Sequence, residues 1–90
     1  MKVNIITPEK TLYKGKAKSI YVPGINGEFQ MLNHHAAIVS VLKEGKVKIE
    51  EPEMDNLAPT FTQGEKGLYE VVINGGVIEM NNDIVTILAE

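Results

Sequence analysis

Apolar and polar residues alternate with a period of two along most of this chain, and helical spacing is hard to find. Residues 3–7 (VNIIT) predict a first strand. Residues 11–22 (TLYKGKAKSIYV) predict one long strand, bent or bulged around Gly15. In GEFQML, Phe29 and Met31 fall on one face, with Glu28 and Gln30 on the other. AAIVSVL, residues 36–42, is apolar on both faces, as a strand is when it lies centrally or has one face covered by a partner. KEGK, residues 43–46, has the composition of a tight hairpin turn, and KVKIE returns from it. Residues 51–66 read as an extended loop with one short strand near 60–62. LYEVVI, GVIEM and DIVTIL then predict three strands, joined at NGG and at Asn81-Asn82, residue types that tolerate the positive φ of tight hairpins.

Short, closely spaced strands with turn signals between them predict an all-β fold. The expected architecture is a flattened antiparallel β-sandwich of two sheets, formed as a single domain over residues 1–90. The hydrophobic fraction of 43% suffices for a core, and with no cysteine the core must hold without disulfides or thiolate-bound metal. The formal net charge is −3 and the lysines are spread along the sequence, which argues against nucleic acid as the main partner. The opening MKVNIITPEK is too short for a signal peptide or a membrane span. A soluble chain is expected, meeting a membrane only through another protein.

Candidate chemistry is thin. His34 and His35 are the only histidines, and neighbours on an extended strand point to opposite faces, so a shared metal ion is disfavoured. Ser19 and Ser40 lie in strand-like runs without a nucleophile elbow, and Glu50-Glu51 has no apolar pocket to separate the two acidities. NGGV precedes a strand, where a phosphate cradle would need a helix. PGINGEF is different. Pro23-Gly24 and Asn26-Gly27 fix a tight loop that holds Ile25 outward beside Glu28, a rigid docking point.

Four features occur in order: TPEK.LY.G, PG..GEF..L..H.A, L..G…I, and GG..E..N..VTILA. Together they cover nearly all of the chain outside residues 51–66, and in this order and spacing the chain resembles the N-terminal domain of F-type ATP synthase epsilon subunits. The resemblance implies a flattened two-sheet sandwich and a non-catalytic rotor subunit without a cofactor, lying between the gamma subunit and the c-ring. It implies c-ring contact at Gly24, Ile25, Asn26, Gly27 and Glu28, and gamma contact at Thr7, His35, Ala37, Ile38 and Ser40. It implies a peripheral position on the cytoplasmic face of a bacterial inner membrane. Asn33-His34 stands where relatives commonly have proline-glycine, and Ala37 where a proline is usual. The chain stops at Glu90, so a short form without the C-terminal helical hairpin is expected, and with it no ATP binding. The alternative is a stand-alone β-sandwich module that binds a peptide or small ligand.

Overall fold

The alternating pattern becomes ten strands in a computed structural model that describes residues 1–33 and 36–90. They are β1 Lys2–Ile6, β2 Thr11–Lys16, β3 Ser19–Gly24, β4 Gly27–Leu32, β5 Ile38–Leu42, β6 Gly45–Glu50, β7 Thr62–Gln63, β8 Tyr69–Ile73, β9 Gly76–Asn81 and β10 Ile84–Ala89. Hydrogen bonding runs β2-β1-β10-β9-β5 in one layer and β7-β8-β6-β3-β4 in the other. The two layers join at one residue pair, Gly24 with Leu42. One sheet thus folds over on itself, and alternate residues of each strand face inward. Val3, Ile5, Ile78, Met80, Val85 and Ile87 come from the first layer, and Ile20, Val22, Met31, Val47, Ile49 and Val71 from the second. All are buried in a single core. The expected flattened sandwich is borne out, with one strand pair, β1 beside β10, running parallel.

Four local expectations need correction. The long strand at residues 11–22 is two strands. The Ala17 N–H donates to the Met1 carbonyl in the first layer, while the next N–H, of Lys18, donates to Glu50 in the second. The chain therefore changes layers at Ala17-Lys18, and Gly15 is not the bend. Residues 43–46 do not close a hairpin either. Strand β5 pairs with β9, whereas β6 pairs with β3 and β8, and the Lys43 N–H donates to the Pro23 carbonyl at 2.9 Å. Nor is NGG a hairpin: β8 lies in the second layer and β9 in the first. At NGG the φ angles of 130° and 150° at Gly75 and Gly76 suit glycine in a hop between layers as in a hairpin, whereas Gly45 leaves room for Pro23, which an added Cβ would approach to 2.8 Å. The two-residue hairpin loop before β10 is Asn82-Asp83, one position later than read, with φ of 53° and 60°.

Residues 51–66 have a visible structural task. They lie along the outer edge of β2, which would otherwise present open backbone groups to other chains. The Glu53 carboxylate accepts the Lys16 N–H at 2.6 Å, the Asn56 amide donates to the Lys14 carbonyl at 2.9 Å, and the Ala58 N–H donates to the Leu12 carbonyl at 2.9 Å. The buried Tyr13 hydroxyl donates to the Lys16 carbonyl and accepts the Glu53 N–H. Phe61 meets the Tyr13 ring edge-on. Gly15 makes this approach possible, since a Cβ there would stand 2.8 Å from the Glu53 carboxylate.

Tyr13→Phe should therefore cost about 1–3 kcal/mol in urea unfolding, by removing two part-buried hydrogen bonds, one to the Lys16 carbonyl and one from the Glu53 N–H. Burial pushes the Tyr13 phenol above its ordinary value of 10.0. Because the folded state holds this proton more tightly, its contribution is complete below the unfolded pKa and is lost as pH rises through the folded one. The same variant should accordingly show a shallower loss of stability at alkaline pH.

Candidate docking face

The β3–β4 tip is built by two glycines with different tasks. Gly24 pairs with Gly27 across the hairpin, leaving Ile25-Asn26 as a two-residue loop. The positive φ falls on Gly27, at 124°. Gly24 provides space instead: a Cβ there would lie 2.7 Å from the Phe29 ring. The stiff loop holds Ile25 outward at 61% exposure and leaves Asn26 exposed beside it. Glu28 stands at the base with its carboxylate 3.1 Å from the Lys48 ammonium. The hydrogen bond to this carboxylate is the main reason the Lys48 pKa rises above 10.5. The tip's acid is thus already held by a partner on β6.

Strand β5 shows an unexpected parity. Ile38 pairs with Met80, Ser40 with Ile78 and Leu42 with Gly76, which turns Ile38, Ser40 and Leu42 toward the core side. Ile38 packs against the core and Ser40 is half-buried. The outward residues are Val39 and Val41, exposed by 72% and 54%. Ala37 is exposed just before the strand. Thr7 is half-buried, and its hydroxyl is occupied locally, donating to the Lys10 carbonyl and accepting N–H groups from Glu9 and Lys10. His35 lies outside the described residues.

Val41 opens a row that sequence reading missed. It pairs directly with Val77, Val77 with Leu88, and Leu88 with Ile6. Directly paired residues share a face. All four are exposed, so an unbroken apolar row crosses the outside of the first layer over four strands. A signal for it exists in the sequence. Ile5-Ile6, Val77-Ile78 and Ile87-Leu88 are adjacent apolar pairs where strict alternation would supply a polar residue. In each pair one member is buried and the other falls in the row.

The outer face of the second layer is of another kind. Lys48 pairs with Glu28, Lys46 with Glu70 at 3.3 Å, and the Ser19 hydroxyl donates to Glu50 at 2.6 Å. Val72 and Leu32 are exposed there without forming a row. The tip and β5 border one open hollow of about 630 Å³, lined by residues 24–29 and 39–41. The structure thus joins the tip to the end of the apolar row. Thr7 borders the row at its other end, in a hollow of about 380 Å³ with Ile6, Val77 and Leu88. Among the described residues no cluster of three metal-ligating side chains forms, and no helix is long and apolar enough to cross a membrane. The outside of the first layer is thus apolar in the middle and bordered by a two-residue hairpin loop.

The family described as "ATP synthase, Delta/Epsilon chain, beta-sandwich domain" matches residues 1–90. An ATP synthase epsilon chain of Nitratiruptor sp. is 36% identical over the whole of this chain, which spans 60% of that relative's length. An epsilon chain of Helicobacter pylori (strain P12) is 33% identical, again over the whole chain and 63% of the relative. A cryo-EM structure of Euglena gracilis mitochondrial ATP synthase, with OSCP, F1 and c-ring, contains a chain of similar fold. Its TM-score is 0.73 at 21% identity, covering 97% of this chain and 48% of that one. A cryo-EM structure of the central stalk and c-ring of Tetrahymena thermophila mitochondrial ATP synthase gives 0.69 at 19% identity, covering 99% and 62%.

Proposed function

Because the chain belongs to the delta/epsilon β-sandwich family of ATP synthase, we propose that it is a non-catalytic part of the rotor. In this reading it joins the gamma subunit to the c-ring, so that proton flow through the ring is coupled to ATP synthesis. The observation that carries the reading is the apolar row Val41-Val77-Leu88-Ile6, exposed on one layer only and ending at the rigid tip. The gamma subunit takes the row, with Thr7, Ala37 and Val39 along its border. The c-ring takes the tip, with Gly24, Ile25, Asn26, Gly27 and Glu28. Ile38 and Ser40 support the strand from beneath.

The size of the chain suits such a role. Its accessible surface is 5366 Å², so two interfaces of about 800 Å² each would leave it clamped. A joint that transmits torque must resist shear, and contacts carried on a sheet and a glycine-fixed loop do so better than a mobile segment. The protein then sits peripherally at the cytoplasmic face of the membrane, held there by the complex, and needs no cofactor of its own.

The test is depletion and add-back. Membranes lacking the chain should lose ATP-driven proton pumping and regain it with wild-type protein. Glu28→Lys breaks the pairing with Lys48 and reverses the charge at the tip. It should weaken ring attachment about tenfold while the isolated fold loses no more than about 1 kcal/mol, as expected for a partly exposed ion pair. Full co-purification of gamma with the ring, and full pumping, in the absence of this chain would sink the reading.

A further inference from the structure

The lysines that are scattered in sequence gather in the fold. Lys2 stands directly opposite Lys16 across β1 and β2, and Lys14 directly opposite Asn4. All three ammonium groups are on the outward parity, since Val3, Ile5 and Tyr13 between them are buried. Like charges directly opposite each other weaken a strand pair. Among the described residues none of the three takes part in an ion pair. Two acids stand close by: the Glu53 carboxylate accepts the backbone N–H of Lys16, and Asp83 borders a second hollow with Lys2 and Lys16. The lysines border a hollow of about 420 Å³ shared with Asn4, Glu53, Asn56 and Ile84. In a chain of net charge −3, three lysines against the carboxylates of Glu53 and Asp83 leave a locally positive field at this corner.

The field lies on the same outer face as the apolar row, at the opposite edge of the layer from β5 and the tip. From this placement we infer that Lys2, Lys14 and Lys16 receive an acidic segment of the protein that covers the row, a partner surface bearing two or three carboxylates. The inference rests on the reading that a protein docks on this face, and it adds the chemistry of that protein. Anionic lipid is the poorer occupant. Lys14 and Lys16 are four strand spacings from β5, about 19 Å, and Lys2 is three, about 14 Å, so they lie far from the tip assigned to the membrane ring. Charges at the margin of an apolar contact steer association and set its salt dependence more than its lifetime.

The experiment measures binding of the whole chain to a gamma-containing stalk lacking it, at low salt and at about 0.15 M, where the screening length is roughly 8 Å. Lys2→Gln, Lys14→Gln and Lys16→Gln combined should slow association about tenfold at low salt, with a flatter salt dependence and a nearly unchanged dissociation rate. The triple arginine variant should associate like wild type, and melting of both variants at no lower temperature than wild type shows that the fold is intact. A glutamine variant that associates at the wild-type rate with the same salt dependence overturns the inference and leaves the rotor reading standing. Lysine-dependent binding to phosphatidylglycerol vesicles, with no lysine effect at the stalk, also overturns it in favour of lipid. Wild-type protein that fails to bind the stalk overturns both readings.

Discussion

Replacing Leu88 with aspartate is expected to weaken binding to the gamma-containing stalk about a hundredfold while the protein still folds. Leu88 is 57% exposed and stands between Val77 and Ile6 in the middle of the apolar row. Covering the row removes apolar surface from water, worth about 25 cal/mol for each Å². A carboxylate placed there would instead be stripped of water with no partner, at a cost of about 3 kcal/mol, and each 1.4 kcal/mol is about tenfold in affinity. The fold itself should lose only about 1 kcal/mol, the usual cost of aspartate on a strand surface. Val72→Asp is the control. Val72 is exposed by 64%, but it lies on the charged outer face of the second layer, opposite Lys46. Binding should be unaffected there. If Val72→Asp weakened binding and Leu88→Asp did not, the docking face would belong to the other layer.

The largest stability effect is expected at Gly76. An added Cβ would stand 2.3 Å from the Leu88 carbonyl, which is backbone and cannot swing aside, and φ is +150°. Gly76→Ala therefore combines a steric clash with a backbone conformation that side chains rarely adopt, at a cost of about 3–4 kcal/mol. For a domain of this size that corresponds to about 15–25 °C in melting temperature. Gly27→Ala separates the two causes. Its φ is +124°, yet nothing lies within 4 Å of the added methyl. It should cost only about 1–2 kcal/mol, the backbone term alone. Equal melting temperatures for the two variants would show that the approach to Leu88 is not what matters at Gly76.

Most of the strands were legible because period-two alternation is a local signal and one face of each strand is buried. Which strands pair was much less legible. KEGK and NGG carry hairpin chemistry, yet each takes the chain from one layer to the other, because the turn residues report an allowed backbone angle and not a destination. The parity of β5 was hidden for a related reason. In IVSVL either set of alternate residues could face the core, and pairing with Met80 and Ile78 on β9 decides the matter. The lock between Tyr13 and Glu53 joins residues forty apart in sequence, so no local pattern announces it. The bend of the tip was legible, since its glycines mark it locally, but the pairing of Glu28 with Lys48, twenty residues on, was not. The apolar row was legible only in part: its doubled residues break the alternation, but only register reveals that they line up.

The parallel pairing of β1 with β10 has a mechanical meaning. The first and last strands lie side by side over five registered pairs, from Lys2 with Ile84 to Ile6 with Leu88, so the chain ends leave from opposite ends of one ribbon. Drawing the two ends apart would strain all the rungs of that ribbon together, where an antiparallel ribbon gripped at its open end would peel one rung at a time. A body closed in this way yields abruptly instead of fraying.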